Sequence, residues 1–144
     1  MSNGKSKQLI VMRKDLHMTK GKMISQGSHA SLGVILRMMN GGDSVKDVEP
    51  EIANNEYTLT LKVKVGSDLD SWLRGVFKKV CVYVNSEEEL IEIYNRAEAK
   101  GLPVIMIEDS GLTMFNGIKT NTCIAIGPAD EQVIDEITGG LKLL

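Results

Sequence analysis

Leu9-Ile-Val-Met-Arg-Lys-Asp-Leu-His-Met-Thr-Lys-Gly-Lys22 passes from a short apolar run, through a polar connection, into a Gly-Lys turn. Residues 9–12 read as a central strand buried on both faces. The helix predicted to follow, over residues 21–40, carries Met23, Gly27, Ala30, Val34 and Met38 at spacings of three and four, an apolar seam. Gly27 and Ala30 are small enough to let that helix lie close to whatever it covers. A strand feeding a helix in this way is the repeating unit of a layered α/β fold.

Working outward, Gly41-Gly42 stops the helix, and residues 43–56, acidic with Pro50 and Asn54-Asn55, form a loop or insertion. Tyr57, Leu59, Leu61, Val63 and Val65 then alternate with Thr58, Thr60, Lys62 and Lys64, which predicts a strand with one wet face near a sheet edge. Ser67 or Asp68 caps a short helix through Trp72 and Leu73, closed by Gly75. Residues 80–84 form a buried strand. Ser86 and Glu89 open a helix as a capping-box pair, with Leu90, Tyr94 and Ala97 inward and Gly101 as its stop. Residues 104–107 are a strand, 108–121 an irregular loop and 122–126 a further strand. Gly127-Pro128 turns the chain, and Asp130 caps a last helix bearing Val133, Ile134 and Ile137. The expectation is a mixed, mostly parallel central sheet of four to five strands with helices on both faces, in a single domain over residues 1–144 with an insertion at 41–71.

The chain of 144 residues, 42% hydrophobic and 25% charged, has the composition of a globular domain rather than of a disordered segment. Residues 1–6 are polar and lead into no signal-peptide core, and no apolar stretch approaches the roughly 20 residues of a membrane span, so the expected location is the cytoplasm. Cys81 and Cys123 sit inside apolar runs and read as small buried hydrophobes. With His17 and His29 they show no ligand spacing, so neither a metal nor another cofactor is expected. Charge is uneven. Residues 1–40 hold Lys5, Lys7, Arg13, Lys14, Lys20, Lys22 and Arg37 against the single acid Asp15, while the remainder is acidic. Such an asymmetry suggests a positive face for a polyanion, unless folding disperses it.

Two segments can carry chemistry. In His17-Met-Thr-Lys-Gly-Lys22, a strand gives way to a helix through Gly-Lys, and free backbone N–H groups with the helix dipole attract an anion. A nucleotide-binding P-loop would need a glycine at position 16 and a hydroxyl at position 23; Leu16 and Met23 stand there, so nucleotide hydrolysis is disfavoured. A nucleic-acid phosphate needs only the N–H groups and the lysines. From Lys22, Gln26 and His29 follow at i+4 and i+7 on one stripe beside the seam. His29 reads as a core-edge histidine with a structural hydrogen bond in preference to a catalytic one. Lys22 opposes the positive end of the helix dipole, a placement that suggests a ligand. The second segment, Glu108-Asp-Ser-Gly-Leu-Thr113, leaves the carboxyl end of a strand, where open α/β sheets place their ligand crevice. Asp-Ser-Gly is equally an Asx-turn, and the spacing alone does not separate the two readings.

These blocks resemble the second-class peptidyl-tRNA hydrolases, the archaeal and eukaryotic type. The family's Lys-Gly-Lys turn and Gln-x-x-His-Ala helix are similar to Lys20-Gly-Lys22 and Gln26-Gly-Ser-His29-Ala30. Its Asp-Ala-Gly-x-Thr loop resembles Asp109-Ser-Gly-Leu-Thr113, its Thr-x-x-x-Ile-Gly-Pro strand Thr122-Cys-Ile-Ala-Ile-Gly127-Pro128, and its tail Thr138-Gly-Gly-Leu-Lys-Leu143. The likeness runs over roughly residues 7–40 and 72–144, in family order. The chain departs from the pattern at Thr19 and Ser110, in a longer loop between Thr113 and Thr122, in the unmatched stretch 41–71, and at Gly140, which stands where a histidine is common.

The resemblance implies hydrolysis of the ester joining a peptide to the tRNA 3′ ribose, by direct attack of water and without a cofactor. On that likeness Asp109 orients or deprotonates the water, Lys22 supplies positive charge, and Thr113 and Thr122 offer positioning hydroxyls. Lys14, Lys20 and Gln26 are the expected tRNA contacts, with His29 structural. The implied partner is tRNA, no membrane is involved, and a homodimer is compatible with the family likeness. A non-catalytic RNA-binding or protein-interaction module on the same scaffold is the alternative.

Overall fold

A computed structural model describes residues 5–39 and 49–144. Its elements are β1 (Ser6–Arg13), α1 (Lys20–Met38), α2 (Asp68–Arg74), β2 (Lys79–Val84), α3 (Glu87–Ala99), β3 (Val104–Asp109), β4 (Thr120–Asp130) and α4 (Glu131–Thr138). The four strands form one sheet in the order β2-β1-β4-β3. β1 pairs with β2 in parallel, and β4 runs antiparallel to both β1 and β3. The expected mixed α/β sheet is present. Three of its four strands point the same way, although only the β1–β2 neighbours bond in parallel, because β4 is inserted between β1 and β3. One consequence positions the site: the carboxyl ends of β1, β2 and β3 share one edge of the sheet, where β4 begins.

Side-chain alternation along the central strands feeds two apolar layers. Leu9, Val11, Val82, Val84, Ile124 and Ile126 pack with Leu90, Ile93 and Ala97 of α3 and with Ile134 and Ile137 of α4. On the opposite face, Met12, Cys123 and Ala125 pack with Ala30 of α1 and with Met18. The predicted seam of α1 holds, with Gly27, Ala30 and Val34 buried. Each helix opens on a capping side chain that accepts an otherwise orphaned backbone N–H. Thr19 serves Lys22, Ser67 serves Asp70, Ser86 serves Glu89, and Asp130 serves Gln132 and Val133. The tail covers part of the β2 edge: Tyr83 N–H donates to the Lys142 carbonyl and Leu144 N–H to that of Cys81. Among the described residues no helix is long and apolar enough to cross a membrane.

Three expectations need correction. Residues 57–65 do not form a strand, although the alternation is genuine: Leu59, Leu61 and Val63 are half-buried while Thr58, Thr60, Lys62 and Lys64 are exposed. Asn54 and Asn55, at φ of 54° and 60°, make the paired left-handed turn typical of a two-residue hairpin. That hairpin closes only through the Ala53–Glu56 bridge. Pro50, on the arm leading into the turn, has no N–H to give to a ladder. Second, Gly127-Pro128 is no turn; β4 continues through it to Asp130. Gly127 has φ of 92°, and a Cβ there would stand 2.6 Å from the Lys7 carbonyl oxygen, so the strand passes only because the residue is glycine. Third, the segment 108–121 is shorter as a loop than expected, since β3 extends to Asp109 and β4 begins at Thr120. The predicted stop at Gly41-Gly42 lies outside the described residues.

Candidate active site

The site lies where α1 begins beside the carboxyl end of β3. Lys22 occupies the first turn of α1, which contains no acidic residue. Its ammonium meets the Asp109 carboxylate, which lies 87 positions away in sequence, at 2.9 Å. That carboxylate supplies the negative charge the positive helix end favours. Both side chains are largely withdrawn from solvent, at 14% and 11% exposure. The Lys22 ammonium also donates to the Thr113 hydroxyl at 2.7 Å and stands 5.8 Å from the centre of the Phe115 ring.

Asp109 collects further donors. Gln26 Nε2 reaches Oδ1 at 3.2 Å, and the backbone N–H of Gly111 reaches Oδ2 at 2.9 Å. The second contact is the Asx-turn legible in Asp-Ser-Gly. Gly111 has φ of 81°, and an added Cβ would lie 2.3 Å from the Ile118 carbonyl oxygen, so the loop closes on itself only with glycine here. The Lys22 hydrogen bond, reinforced by the Gly111 N–H, the Lys22 charge and Gln26, outweighs desolvation and holds the Asp109 carboxyl below its ordinary value of 3.8. Asp109 is therefore an anion throughout the neutral range.

Behind this pair the chain turns polar in its interior. The Thr122 hydroxyl donates to Gln26 Oε1 at 2.6 Å, and Cys123 Sγ lies 3.4 Å from the Gln26 carbonyl oxygen. Consecutive residues of a regular strand point to opposite faces, yet Thr122 and Cys123 both reach Gln26. The β3–β4 register explains this: Ile107 pairs with Cys123 and Glu108 with Asn121, leaving Thr122 as the extra residue of a bulge. Bulges re-aim side chains in this way. Burial pushes the Cys123 thiol up to about 12, so it is neutral beside the site.

Lys22, Asp109 and Thr113, expected as one constellation with Thr122, thus meet, whereas Thr122, expected to offer its hydroxyl to water and the ester, is fully buried and gives it to Gln26. The remaining expected residues fall elsewhere. Gln26, expected to touch tRNA, is only 2% exposed and sits beneath Asp109, where no nucleic acid reaches it. Position i+4 from Lys22 puts it on the inner flank of α1, so the stripe shared with Lys22 runs into the protein. His29, expected at a core edge with a structural hydrogen bond, is exposed and has no such bond among the described residues. It lies a further turn along α1. Lys14 and Lys20 are exposed at the same end of the sheet, with the Lys14 ammonium 4.4 Å above the Tyr83 ring. Folding disperses part of the basic run: Lys7 pairs with Asp135, Arg13 with Asp15 and Glu87, and Arg37 donates to the Val104 carbonyl. Gly111 as a donor was legible in the Asx-turn reading of Asp-Ser-Gly, whereas Phe115 beside Lys22 had no signal in the sequence beyond its place in the loop.

The comparison with known proteins follows this geometry. The family model described as Peptidyl-tRNA hydrolase PTH2 matches residues 6–144. The chain belongs to that family. Among its relatives, the peptidyl-tRNA hydrolase of Methanocaldococcus jannaschii is 43% identical over 138 residues, covering 96% of this chain and 99% of that protein. The enzyme of the same name from Methanopyrus kandleri is 37% identical, covering 96% of this chain and 97% of its own length. That of Saccharolobus islandicus is 36% identical, covering 96% and 98%.

Proposed function

We propose that the chain hydrolyses the ester bond of peptidyl-tRNA by direct attack of water, with Lys22, Asp109 and Thr113 around the reacting carbonyl. The observation that carries this reading is the meeting of Lys22 and Asp109 at 2.9 Å in a chain of this family. Counting hydrogen-bonding capacity assigns the roles. An ammonium has three donors; Lys22 gives one to Asp109 and one to Thr113, leaving one for the oxygen of the ester carbonyl as it becomes an oxyanion. The Thr113 hydroxyl accepts from Lys22, so its own proton is free to point at the substrate. A carboxylate offers about four acceptor positions, and Asp109 uses two on Oδ1 and one on Oδ2. The remaining lone pair on Oδ2 orients the attacking water.

With its pKa held below 3.8, Asp109 is a weak base, better suited to aligning water and anchoring the ammonium than to complete deprotonation before attack. Water adds to the carbonyl carbon as its proton passes to Asp109 Oδ2, the negative charge collects on the carbonyl oxygen beside Lys22, and collapse returns that proton to the departing ribose oxygen, releasing the tRNA 3′ hydroxyl and the peptide acid. Lys14 and Lys20 hold tRNA phosphates near the mouth of the site.

The test is to incubate the purified protein with N-acetyl-aminoacyl-tRNA, without added metal or nucleotide, and to measure released N-acetyl-amino acid. Release by the native chain that is lost in Lys22→Ala and in Asp109→Ala supports the reading. Tight tRNA binding with no release overturns it in favour of a non-catalytic module.

A further inference from the structure

Gln26 and Thr122 are too deeply buried to touch a substrate, yet Gln26 gives its amide to Asp109 and Thr122 its hydroxyl to Gln26, and this demands an explanation. Gln26 is 2% exposed and Thr122 0%. Burying an amide and a hydroxyl is costly unless each finds a partner, and an apolar pair of similar shape would fill the same space without that requirement.

We infer that Gln26 is a positioning residue for hydrolysis: its amide, anchored by the Thr122 hydroxyl, fixes the Asp109 carboxylate in register with Lys22. This rests on the ester-hydrolysis reading above. Hydrogen-bond chemistry sets the direction of the relay. An ionised carboxylate only accepts, so the end of the Gln26 amide facing Asp109 Oδ1 at 3.2 Å is its NH2 group. That leaves Oε1 toward Thr122, whose hydroxyl donates to it at 2.6 Å. The alternative acceptor for that hydroxyl, the Ile107 carbonyl, is more distant at 3.4 Å. An amide flipped the other way would set its oxygen against the Asp109 carboxylate, two acceptors face to face, whereas the Thr122 hydroxyl can accept as well as donate. Asp109 thus decides which way round Gln26 stands, and Thr122, donating to Oε1 at 2.6 Å, holds the amide in place beneath it.

The β-bulge is what makes this possible. In a regular β4 either Thr122 or Cys123 would face α1, not both. With the extra residue, Cys123 packs against the Gln26 backbone while Thr122 grips its side chain. The bulge therefore converts a strand into a two-point mount for one helical residue. Lys22 is the charged group whose field reaches Asp109. Cys123, on β4 beneath, is a neutral thiol. Glu108, the neighbour on β3, is exposed.

The test combines kinetics with an activity-independent reading of the Asp109 carboxyl by carbon-13 NMR across pH. Gln26→Met keeps the bulk and removes the donor. It is expected to lower kcat about 10- to 100-fold with KM little changed, the usual size of a lost hydrogen bond to a charged group, and to move the Asp109 titration upward. Gln26→Glu sets a second carboxylate at the same place and is expected to move it further in the same direction. Thr122→Val should reproduce the Gln26→Met phenotype, Thr122→Ser should recover most of what Thr122→Val loses, and the Gln26→Met/Thr122→Val double variant should be little worse than either single one. An unchanged Asp109 titration in Gln26→Met overturns the inference. So does equal damage from Thr122→Ser and Thr122→Val, which would mean that Thr122 acts through packing alone. If Gln26→Met does not fold, the contrast between Thr122→Ser and Thr122→Val decides alone. Absence of turnover in the native chain would instead sink the hydrolase reading, while the NMR titration would still test the relay.

Discussion

Two lysine–carboxylate pairs of this molecule look alike when only distance is considered. Lys78 and Glu131 stand 2.7 Å apart where β2 and α4 begin, closer than Lys22 and Asp109 at 2.9 Å. Their surroundings differ. The Lys78 side chain is 45% exposed and that of Glu131 23%, so water and ions compete for both. Asp109 and Lys22 are mostly covered, and three donors from α1 and the loop after β3 fix the carboxylate. In the proposed mechanism reactivity follows from organisation around the pair, since a solvent-screened ion pair contributes only about 0–1 kcal/mol whatever its length. The predictions below test that distinction.

The largest effect is expected in turnover. Lys22→Ala or Asp109→Ala should lower kcat/KM for N-acetyl-aminoacyl-tRNA by about 100-fold or more, the scale for loss of a preorganised donor to an oxyanion or its anchor. Lys78→Ala should leave it within about twofold, as surface changes away from a site usually do. A comparable loss from Lys78→Ala would erase the contrast. Next comes Gly111→Ala, which forces a Cβ against the Ile118 carbonyl at a positive φ. It should destabilise the chain by about 1–3 kcal/mol in thermal or denaturant unfolding and weaken turnover by displacing the Asp109 carboxylate. Retained activity with native stability would show that the loop adapts.

The acid side of the pH profile separates the pairs in another way. Asp109 is held below 3.8 chiefly by the Lys22 hydrogen bond, and Asp15 below the same value chiefly by its hydrogen bond to Arg13. In each case the folded form binds its proton less readily than the unfolded chain does. The stability these groups contribute is therefore fully present above about pH 4 and is lost as pH falls through their lowered values. Turnover should likewise show no acid limb assignable to Asp109 between pH 5 and 7, on the order set by that lowered value. An acid limb near pH 6 that disappears in Asp109→Asn would refute this assignment.

Legibility from sequence tracked how local the physics was. Ser67, Ser86 and Asp130 were readable as caps because capping depends on a few adjacent residues. The period-two pattern of residues 57–65 was equally readable, yet a strand needs a partner, and alternation cannot show that the facing arm carries Pro50. The Lys22–Asp109 meeting was inferred from family order and the shared sheet edge. What failed was side-chain direction. Gln26 and His29 occupy one stripe with Lys22, but only coordinates reveal that the stripe turns inward at Gln26 and emerges at His29. The bulge at Thr122 was invisible because its cause is the pairing of β4 with β3.

A smaller effect concerns the open mouth of the site. Lys14→Ala and Lys20→Ala should each raise KM a few-fold with kcat nearly unchanged. Each should also reduce the slope of log affinity against log salt by about one, since one phosphate contact releases about one counterion. Unchanged salt dependence in both would move the tRNA path elsewhere.

The smallest effect closes the comparison. Glu131 lies in the first turn of α4, where it meets both the positive end of that helix and Lys78. Glu131→Ala removes both interactions, and because the pair is solvent-screened the two together should cost about 0.5–1 kcal/mol at low salt. The loss should shrink as salt is raised, since exposed charges are screened over roughly 10 Å at 0.1 M. Turnover should not change. A loss of several kcal/mol, or one insensitive to salt, would mean that this pair is as organised as Lys22–Asp109, and distance would regain the explanatory weight denied to it here.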